Sequence, residues 1–587
     1  MKRFSFSKAK AALAIPALTL AILACAPAAQ PAAAPAAPAA PAAAPKAPVA
    51  PQAPAPAAAP APVAAPAPAA APAAPAAPAK SREPQYGGVL TQVQATGRLP
   101  HLDPILSTAN TSHPQANAVY SRLVMVDWEV SPNKPIIKPD LAEKWEVSKD
   151  GLTMTFHLTK GVKFQENTEP PFPGLNGREL TSADVKYSLE RAAYDPASLF
   201  SATYRNVDKF ETPDPYTFVI KLKEFDTDFF TMLSAHHGWI VPKELVEKYG
   251  SLRTAMLGTG PFIFDKWIKD VVVSFKRNPN YFKKGLPYAD TYQMVFIQDP
   301  QTQRTAFRTG KITSLTLDGV DFDDIIKTRP NMQYLKYLTT GTTMLGMHYH
   351  NPIFKDIRLR KAILLSLDYD NLVKVFAEGE GIRRGPVSAQ HEGWALSQKE
   401  LKELLPYDPA QARKLMEELG YSKGIEMEML TEGTGSVGYL GAAQMVVENF
   451  KAIGINLKLD LVPNAIHRRR RDAQDYKHLF WGPDGQPTPL AHLVGNYRTG
   501  GFKNVMALSD PQLDARIDKI ASTVDEEERR QEVLEIQRWL LKNAYYKTAI
   551  YDQRTNLMWQ PEVRNLRVTP PHFYGLPWNA ESIWLEK

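Results

Sequence analysis

Two pairs of histidines stand at spacings that suit metal binding. His236 and His237 are adjacent, and His348 and His350 flank Tyr349. Imidazoles at alternate positions of a strand point to the same side, so His348 and His350 could chelate one ion. No HExxH motif accompanies either pair. We therefore expect no catalytic metal and no cofactor.

Other motifs of enzyme chemistry are missing from the sequence. The segment EGTGSVG, residues 432–438, lacks the spacing of a Gly-x-Ser-x-Gly nucleophile elbow. The phosphate-binding pattern GxxxxGK[ST] does not occur. These absences predict a protein that is not an enzyme and does not itself hydrolyse ATP.

Composition indicates a large folded protein. The chain has 587 residues, of which 44% are hydrophobic and 22% charged, which predicts two or more lobes with sizeable cores. The net charge of +7 is small for this length, so nucleic acid is not an expected partner. With proline counted as an interruption, no stretch after residue 25 has eighteen consecutive apolar residues.

The only cysteine, Cys25, ends the first apolar run. Four basic residues precede residues 11–24, and this order is typical of an export signal. Ile22-Leu23-Ala24-Cys25 resembles a bacterial lipobox, which implies a signal peptide over 1–24 and lipidation of Cys25. Cleavage without lipid and a chance cysteine remain the alternatives.

Residues 25–84 form the predicted linker. From Ala26 to Lys80 only Ala, Pro, Gln, Lys and Val occur. Such residues offer little apolar area to bury, and frequent prolines favour extended polyproline II. We expect a disordered spacer between the anchor and the folded part.

Strand and helix signals intermix in the remaining chain, which predicts layered α/β structure. Apolar residues alternate with polar ones over residues 152–158, which predicts a half-buried strand with His157 towards solvent. Thr181 and Asp184 form a capping-box pattern. Asp408-Pro409 and Asp510-Pro511 predict two further helix starts.

An ordered series of short motifs resembles the family 5 extracellular solute-binding proteins, the dipeptide- and oligopeptide-binding components of ABC importers. The matching segments include PDLAEKWEVSKDGLTMTFHLTKGVKF (139–164), LTSADVKYSLER (180–191), GTGPFIFDKW (258–267), RNPNYF (277–282), FKDIRLRKAILLSLD (354–368), YDPAQARKLMEELGY (407–421) and NFKAIGINLKLD (449–460). The resemblance covers the chain from about residue 86 to its end.

This resemblance implies an α/β fold of two lobes that are discontinuous in sequence and joined by crossover strands. It places lobe I at 85–340 and 535–587, with an extra subdomain near 120–250. Lobe II then spans 341–534, and residues 337–349 contain one crossover. Two lobes on a hinge would close over a ligand that contacts both.

The resemblance also implies a ligand site around Asp484. In peptide-binding relatives an aspartate after a tryptophan meets the terminal ammonium of the peptide, and WGPDGQPTPL (481–490) matches that place. Asp484 is therefore the expected counter-charge, beside Trp481. Because Gly485-Gln486-Pro487-Thr488 differs from the usual spacing, a surface turn at Asp484 stays an alternative.

Further candidates rest on weaker signals. Gly260, Pro261 and Phe262 lie in a segment that lines the cleft of relatives, and Trp239 and Trp394 could form pocket floors. Packing within a lobe is the alternative for each tryptophan. Arg468 to Arg471 could attract an acidic ligand, although such a run more often forms a solvated helix face.

These inferences predict an extracytoplasmic protein of the cell envelope that captures peptides and delivers them to a membrane permease with ATPase subunits. We expect a monomer, held at the membrane by lipid on Cys25. A nickel chelate or an oligosaccharide is an alternative cargo. An extracytoplasmic enzyme or a surface-interaction lipoprotein on the same scaffold is the alternative class.

Overall fold

The two lobes are seen in a computed structural model of the chain. It describes residues 83–94, 99–107, 113–131, 134–166, 175, 177–234, 237–317, 319–339, 342–377, 380–433, 437–486, 488–501, 503–567 and 579–587. Cys25 and the predicted linker up to residue 82 lie outside these ranges. All of the described residues belong to one compact unit, Ser81–Lys587.

The strands are numbered in chain order. They are β1 Val89–Gln94, β2 Val124–Ser131, β3 Lys134–Pro139, β4 Ala142–Val147, β5 Thr153–Leu158, β6 Val207–Asp214, β7 Thr217–Leu222, β8 Phe262–Ile268, β9 Val272–Arg277, β10 Thr291–Phe296, β11 Ser314–Leu317, β12 Gln333–Leu338, β13 Thr342–Met347, β14 Ile382–Arg383, β15 Ile425–Glu432, β16 Ile455–Val462, β17 Leu479–Asp484, β18 Lys547–Ala549, β19 Tyr551–Asp552, β20 Arg554–Trp559, β21 Val563–Arg564 and β22 Trp584–Leu585.

The α-helices are numbered likewise. They are α1 His113–Val119, α2 Ser182–Tyr194, α3 Phe229–Ser234, α4 Lys243–Tyr249, α5 Pro300–Arg308, α6 Gly319–Thr328, α7 Ile357–Ser366, α8 Tyr369–Phe376, α9 Gln398–Leu404, α10 Pro409–Glu418, α11 Val437–Lys451, α12 Asn464–Asp472, α13 Pro489–Tyr497, α14 Pro511–Ser522 and α15 Glu526–Lys542. Short 3-10 turns occur at Pro104–Leu106, Ser201–Tyr204, Pro352–Lys355 and Ala580–Ser582. No helix in the described ranges has the length and apolar character that crossing a membrane requires.

Local sequence signals set several of these elements. In β5, Met154, Phe156 and Leu158 are buried and the residues between them are partly exposed, which confirms the predicted alternation. The backbone N–H of Thr181 donates to the Asp184 carboxylate over 2.9 Å at the start of α2. Asp408 and Asp510 cap α10 and α14, each followed by proline, as predicted.

The first hydrophobic cluster holds the N-terminal part of the described chain. It runs from Leu90 to Met294 and gains Val563, Ala580 and Ile583 from the C-terminal end. Two four-stranded sheets contribute to it, with strand orders β1-β10-β9-β8 and β4-β5-β7-β6. The second of these sheets lies within the extra subdomain expected near 120–250.

The second cluster forms around a five-stranded sheet of order β16-β15-β17-β13-β18. Strands β15 and β16 pair in parallel, and β13 lies antiparallel between β17 and β18. Helices α7, α10, α11, α14 and α15 add apolar side chains to this core. Their burial makes the sheet a rigid base for the residues at the end of β17.

Among the described residues, the chain passes twice between the two halves. Strand β12 pairs with β20 in a three-stranded sheet of order β11-β20-β12, whereas β13, which follows β12, enters the five-stranded sheet. This passage falls inside the expected crossover at 337–349. The chain returns between β19 and β20, and the backbone N–H of Thr339 donates to the Gln553 carbonyl over 3.0 Å. Two adjacent connections therefore join the lobes.

The C-terminal segment is divided differently from the sequence-based proposal, which assigns all of 535–587 to lobe I. Ile536, Leu540 and Tyr551 pack in the second cluster, and β18 extends its sheet. The chain rejoins the sheets beside the first cluster only from Arg554 onwards. Helical and strand patterns reveal which faces are buried, but they do not reveal which of two cores receives them.

Candidate ligand-binding site

Asp484 is the last residue of β17 and is buried, with 2% of its surface exposed. Its Oδ2 accepts a hydrogen bond from Lys547 Nζ over 2.9 Å, and Arg384 Nη2 lies 3.5 Å from the same oxygen. Both cations are fully buried. The alternative that Asp484 lies in a surface turn is therefore wrong. Asp484 is buried and has two internal counter-charges.

The charged chain continues from Arg384 to Asp552. Arg384 Nη1 donates to Asp552 Oδ1 over 2.8 Å. The carboxylate of Asp552 also accepts from the Ser388 hydroxyl at 3.0 Å and from the Ala389 backbone N–H at 2.7 Å. Such additional donors are what allow a carboxylate to remain ionised away from water.

These contacts shift the pKa values of the cluster. Burial alone would raise the pKa of Asp484, but the charges of Lys547 and Arg384 outweigh burial and hold it far below its ordinary value. Burial lowers the pKa of Lys547 to about 8 against the attraction of Asp484. Burial raises the pKa of Asp552 despite Arg384.

Several buried polar atoms around the cluster have no hydrogen-bond partner among the described residues. They include Asp484 Oδ1, Gln486 Nε2, His492 Nε2 and Trp481 Nε1. Buried polar groups left without partners cost free energy unless a ligand or water satisfies them. The four atoms come from β17, the turn after it and α13, so one small region of the second lobe presents both acceptors and donors.

Local sequence explains the placement of this region. A Cβ atom at Gly482 would come within 2.2 Å of the Phe480 ring, so any other residue there would displace this buried ring. Thr488 then caps α13: its Oγ1 accepts from the Ala491 N–H over 3.0 Å, and Pro489 begins the helix. Strand end and helix start thereby fix the intervening turn.

The same segment reaches the other lobe. Thr488 Oγ1 donates to Asp228 Oδ2 over 2.6 Å, and Asp228 directly precedes α3 of the first cluster. Burial raises the pKa of Asp228 to about 7, although the Thr488 hydrogen bond acts in the opposite direction. Four residues span at most about 14 Å. Asp484 therefore lies within about that distance of a contact between the lobes.

Gly260, Pro261 and Phe262 lie in the first lobe. The Gly260 carbonyl accepts from Gln165 Nε2 and Asn278 Nδ2, both at 2.9 Å. A Cβ at Gly260 would come within 2.6 Å of the Val119 backbone, and Phe262 is wholly buried in the core. The described contacts of this segment are thus internal to its own lobe.

The three candidate tryptophans fall in different surroundings. Trp481 is wholly buried in the second cluster, close to Asp484 in β17. Trp394 is half-buried against the same cluster, with the Arg529 guanidinium 5.8 Å from its ring centre. Trp239 is buried in the first cluster under Arg122, at 4.3 Å. The fold places Trp481 and Asp484 together and does not bring Trp239 into their cluster.

The histidine pairs are engaged within the protein. His348 Nδ1 accepts from the His350 N–H and its Nε2 lies 3.3 Å from the Gln474 carbonyl. His236 lies outside the described residues, and His237 Nδ1 lies 2.7 Å from the Thr203 hydroxyl. Across the part of the chain that the structure describes, no group of three or more His, Cys, Asp or Glu could hold a metal ion.

The arginine run lies on α12. Arg468 and Arg469 are exposed, whereas Arg470 pairs with Asp460 over 2.6 Å and Arg471 with Asp472 over 2.7 Å. The run is thus a solvated helix face with some members paired.

Sequence reasoning missed Lys547, Arg384 and Asp552. They lie 63, 100 and 68 positions from Asp484 along the chain (552 − 484 = 68 for Asp552) and meet it only in the fold. One signal was present: Lys547 is the only charged residue in the run from Ala544 to Tyr551. A single lysine in such a run predicts a buried cation that requires a carboxylate.

Two characterised proteins are similar to this chain in sequence. Heme-binding protein A of Haemophilus influenzae is 26% identical over 467 residues, which are 75% of this chain and 83% of that protein. The glutathione-binding protein GsiB of Escherichia coli is 28% identical over 326 residues, 55% of this chain and 60% of that protein. The second match therefore spans less than two thirds of its relative.

A solved structure has the same fold. The oligopeptide-binding protein AppA of Bacillus subtilis, in complex with a nonapeptide, superimposes with a TM-score of 0.68 at 21% identity, covering 86% of this chain and all of AppA. Residues 137–504 match the middle region of the bacterial extracellular solute-binding proteins, family 5. With two lobes, paired crossings and this match, the chain belongs to the bacterial extracellular solute-binding proteins of family 5.

Proposed function

We propose that this protein captures peptides between its two lobes and delivers them to the permease of an ABC importer. Family membership makes it an extracytoplasmic solute-binding protein rather than an enzyme. Two similar proteins support a peptide as cargo. GsiB is a glutathione-binding protein, and AppA was solved in complex with a nonapeptide.

One observation supports the position of the ligand site. The segment from Trp481 to Thr488 begins in the core of the second lobe and ends on Asp228 of the first lobe. Between these ends, Asp484 Oδ1 and Gln486 Nε2 are buried and find no partner among the described residues. A ligand between the lobes would supply a donor for the first atom and an acceptor for the second.

We assign Asp484 and Trp481 to this site, Asp484 as a direct contact and Trp481 as its packed support. Gly260, Pro261 and Phe262 are proposed to support the opposite wall through their backbone. Trp394 and Trp239 are proposed at the periphery, where their rings would pack beneath the walls.

Attachment to the membrane is the second part of the proposal. Cys25 carries the lipid, and residues 26–80 act as a spacer that lets the lobes move above the membrane. A tethered binding protein encounters its permease at raised effective concentration. The protein acts as a monomer, with the permease and its ATPase subunits as partners.

Ligand identification tests the proposal directly. Mass spectrometry of small molecules released from the purified protein should find peptides. Calorimetry with trialanine, glutathione and hemin then ranks cargo classes, and recovered peptides should be unchanged after incubation. Release of only a porphyrin, a metal chelate or a sugar would overturn the peptide assignment.

A further inference from the structure

Asp484 already has the cation that a ligand ammonium would supply. Lys547 is buried to the same extent as Asp484, and its Nζ lies 2.9 Å from Oδ2. An ammonium on the lysine side chain is chemically the same group as the amino terminus of a peptide. Lys547 therefore occupies one side of this carboxylate as an internal ammonium.

The buried groups around Asp484 have balanced charges. The buried chain Lys547–Asp484–Arg384–Asp552 holds two cations and two carboxylates and is neutral. Another ammonium would add an unbalanced positive charge beside two buried cations, and like charges at such distances repel strongly in low dielectric. An uncharged N–H adds no charge and still satisfies Asp484 Oδ1.

An unpaired cation stands next to the same turn. Lys503 Nζ lies 3.3 Å from the Gly485 carbonyl, and among the described residues no carboxylate lies within ion-pair distance of it. Burial lowers the pKa of Lys503 although Asp484 acts in the opposite direction, and Arg471 and Arg468 lower it further. A partly buried lysine that faces other cations is relieved by an anion.

A neutral donor follows Gly485, the residue whose carbonyl Lys503 contacts. Gln486 is 1% exposed, and its Nε2 has no acceptor among the described residues. A carboxylate accepts hydrogen bonds through two oxygens and so matches one ammonium and one amide.

We propose that the ligand of this protein is a carboxylate with a blocked or missing amino group. Its carboxylate binds Lys503 and Gln486, and an uncharged N–H of the ligand, where present, donates to Asp484. This inference rests on the proposed function for the position of the site at Asp484. It restricts peptide cargo to N-blocked peptides and also admits other organic acids that have no amino group.

Matched ligands test it by calorimetry on the full-length chain in detergent. The peptide probes are trialanine, N-acetyl-trialanine, trialanine amide and N-acetyl-trialanine amide. We expect acetylation to tighten binding at least about tenfold, because it removes the ammonium, and amidation to weaken binding at least about tenfold. Hemin and its dimethyl ester form an amine-free pair, in which only the free acid should bind.

Two sets of variants test which residues bind the ligand carboxylate and which exclude a ligand ammonium. Lys503→Gln should remove the preference for free carboxylates over amides, whereas Lys477→Gln, the same change at an exposed lysine, should keep it. Lys547→Met should make trialanine bind at least about tenfold more tightly than its acetylated form, because Asp484 then needs a cation. Adding Asp484→Asn to Lys547→Met should abolish that new preference. Thermal melting confirms that each variant is folded.

The outcomes separate this inference from the proposed function. Binding that acetylation weakens or leaves unchanged, or that amidation leaves unchanged, overturns the inference and leaves peptide capture intact. If all four peptides fail while hemin but not its ester binds, peptide capture is overturned and the anion site is supported. If all six probes fail to bind, both are rejected.

Discussion

Lowering the pH from 8 to 6 should favour the closed arrangement of the lobes, because Asp228 bridges them. Its carboxylate accepts the hydrogen bond of Thr488, and burial raises its pKa to about 7 from the ordinary 3.8. The groups that act on Asp228 are Asp226 on its own loop and Arg529 on α15. Separation of the lobes breaks the contact and returns Asp228 to water.

The direction of the pH dependence of closure follows from the proton that closure takes up. The closed form binds a proton on Asp228 that the open form does not bind between about pH 4 and 7. The contribution of this proton to closure is fully present below the ordinary pKa and is lost as the pH rises to about 7. Closure is therefore favoured by acid.

The size of the change in the closing equilibrium follows from the same proton uptake. Between pH 8 and 6, uptake on closing rises from about 0.1 to 0.9 proton, an average of about one half over two pH units. This equals about 1.4 kcal/mol, or a tenfold change in the closing equilibrium. Asp228 keeps part of its surface in water, so we expect about three- to tenfold.

Small-angle scattering of the ligand-free protein provides the assay. The radius of gyration should fall as the pH is lowered from 8 to 6 and should follow a single titration near pH 7. Asp228→Asn should flatten the profile, and Asp208→Asn, at an exposed position of the same subdomain, should leave it unchanged. Expansion in acid, or a titration that persists in Asp228→Asn, would show that Asp228 does not control the closing equilibrium.

Four further substitutions test other parts of the protein. Asp103→Asn removes the carboxylate 2.6 Å from buried Arg191 and leaves that guanidinium only Asp195 at 3.8 Å, so it should lower the free energy of unfolding by about 3 kcal/mol in urea titrations; a loss below about 1 kcal/mol would contradict this. Asp484→Asn should cost a similar amount, and Lys547→Met in that background should restore part of it, because the unpaired buried cation is removed. Cys25→Ala should move the protein from the membrane to the soluble fraction with unchanged ligand affinity; a variant that stays in the membrane would exclude the lipid anchor.

Much of the fold is local and could be predicted from sequence. The caps at Asp408 and Asp510, and the alternating burial in β5, depend on residues within a few positions of each other. The assignment of 535–551 to a lobe could not be predicted, because α15 has an apolar stripe that either core could bury. Only the pairing of β18 with β13 decides which core does so.

The candidate site likewise has a part that depends on local sequence and a part that depends on long-range contacts. The sequence around Asp484 predicts a carboxylate next to turn-forming residues, which is a local property, and this suggested a place for a ligand. Its charge balance depends on Lys547 and Arg384, which reach it from distant strands and loops. A carboxylate without internal partners would select an ammonium, whereas one that already holds two buried cations rejects it. The ligand class is therefore set by long-range contacts, and a single distant lysine is sufficient to change it.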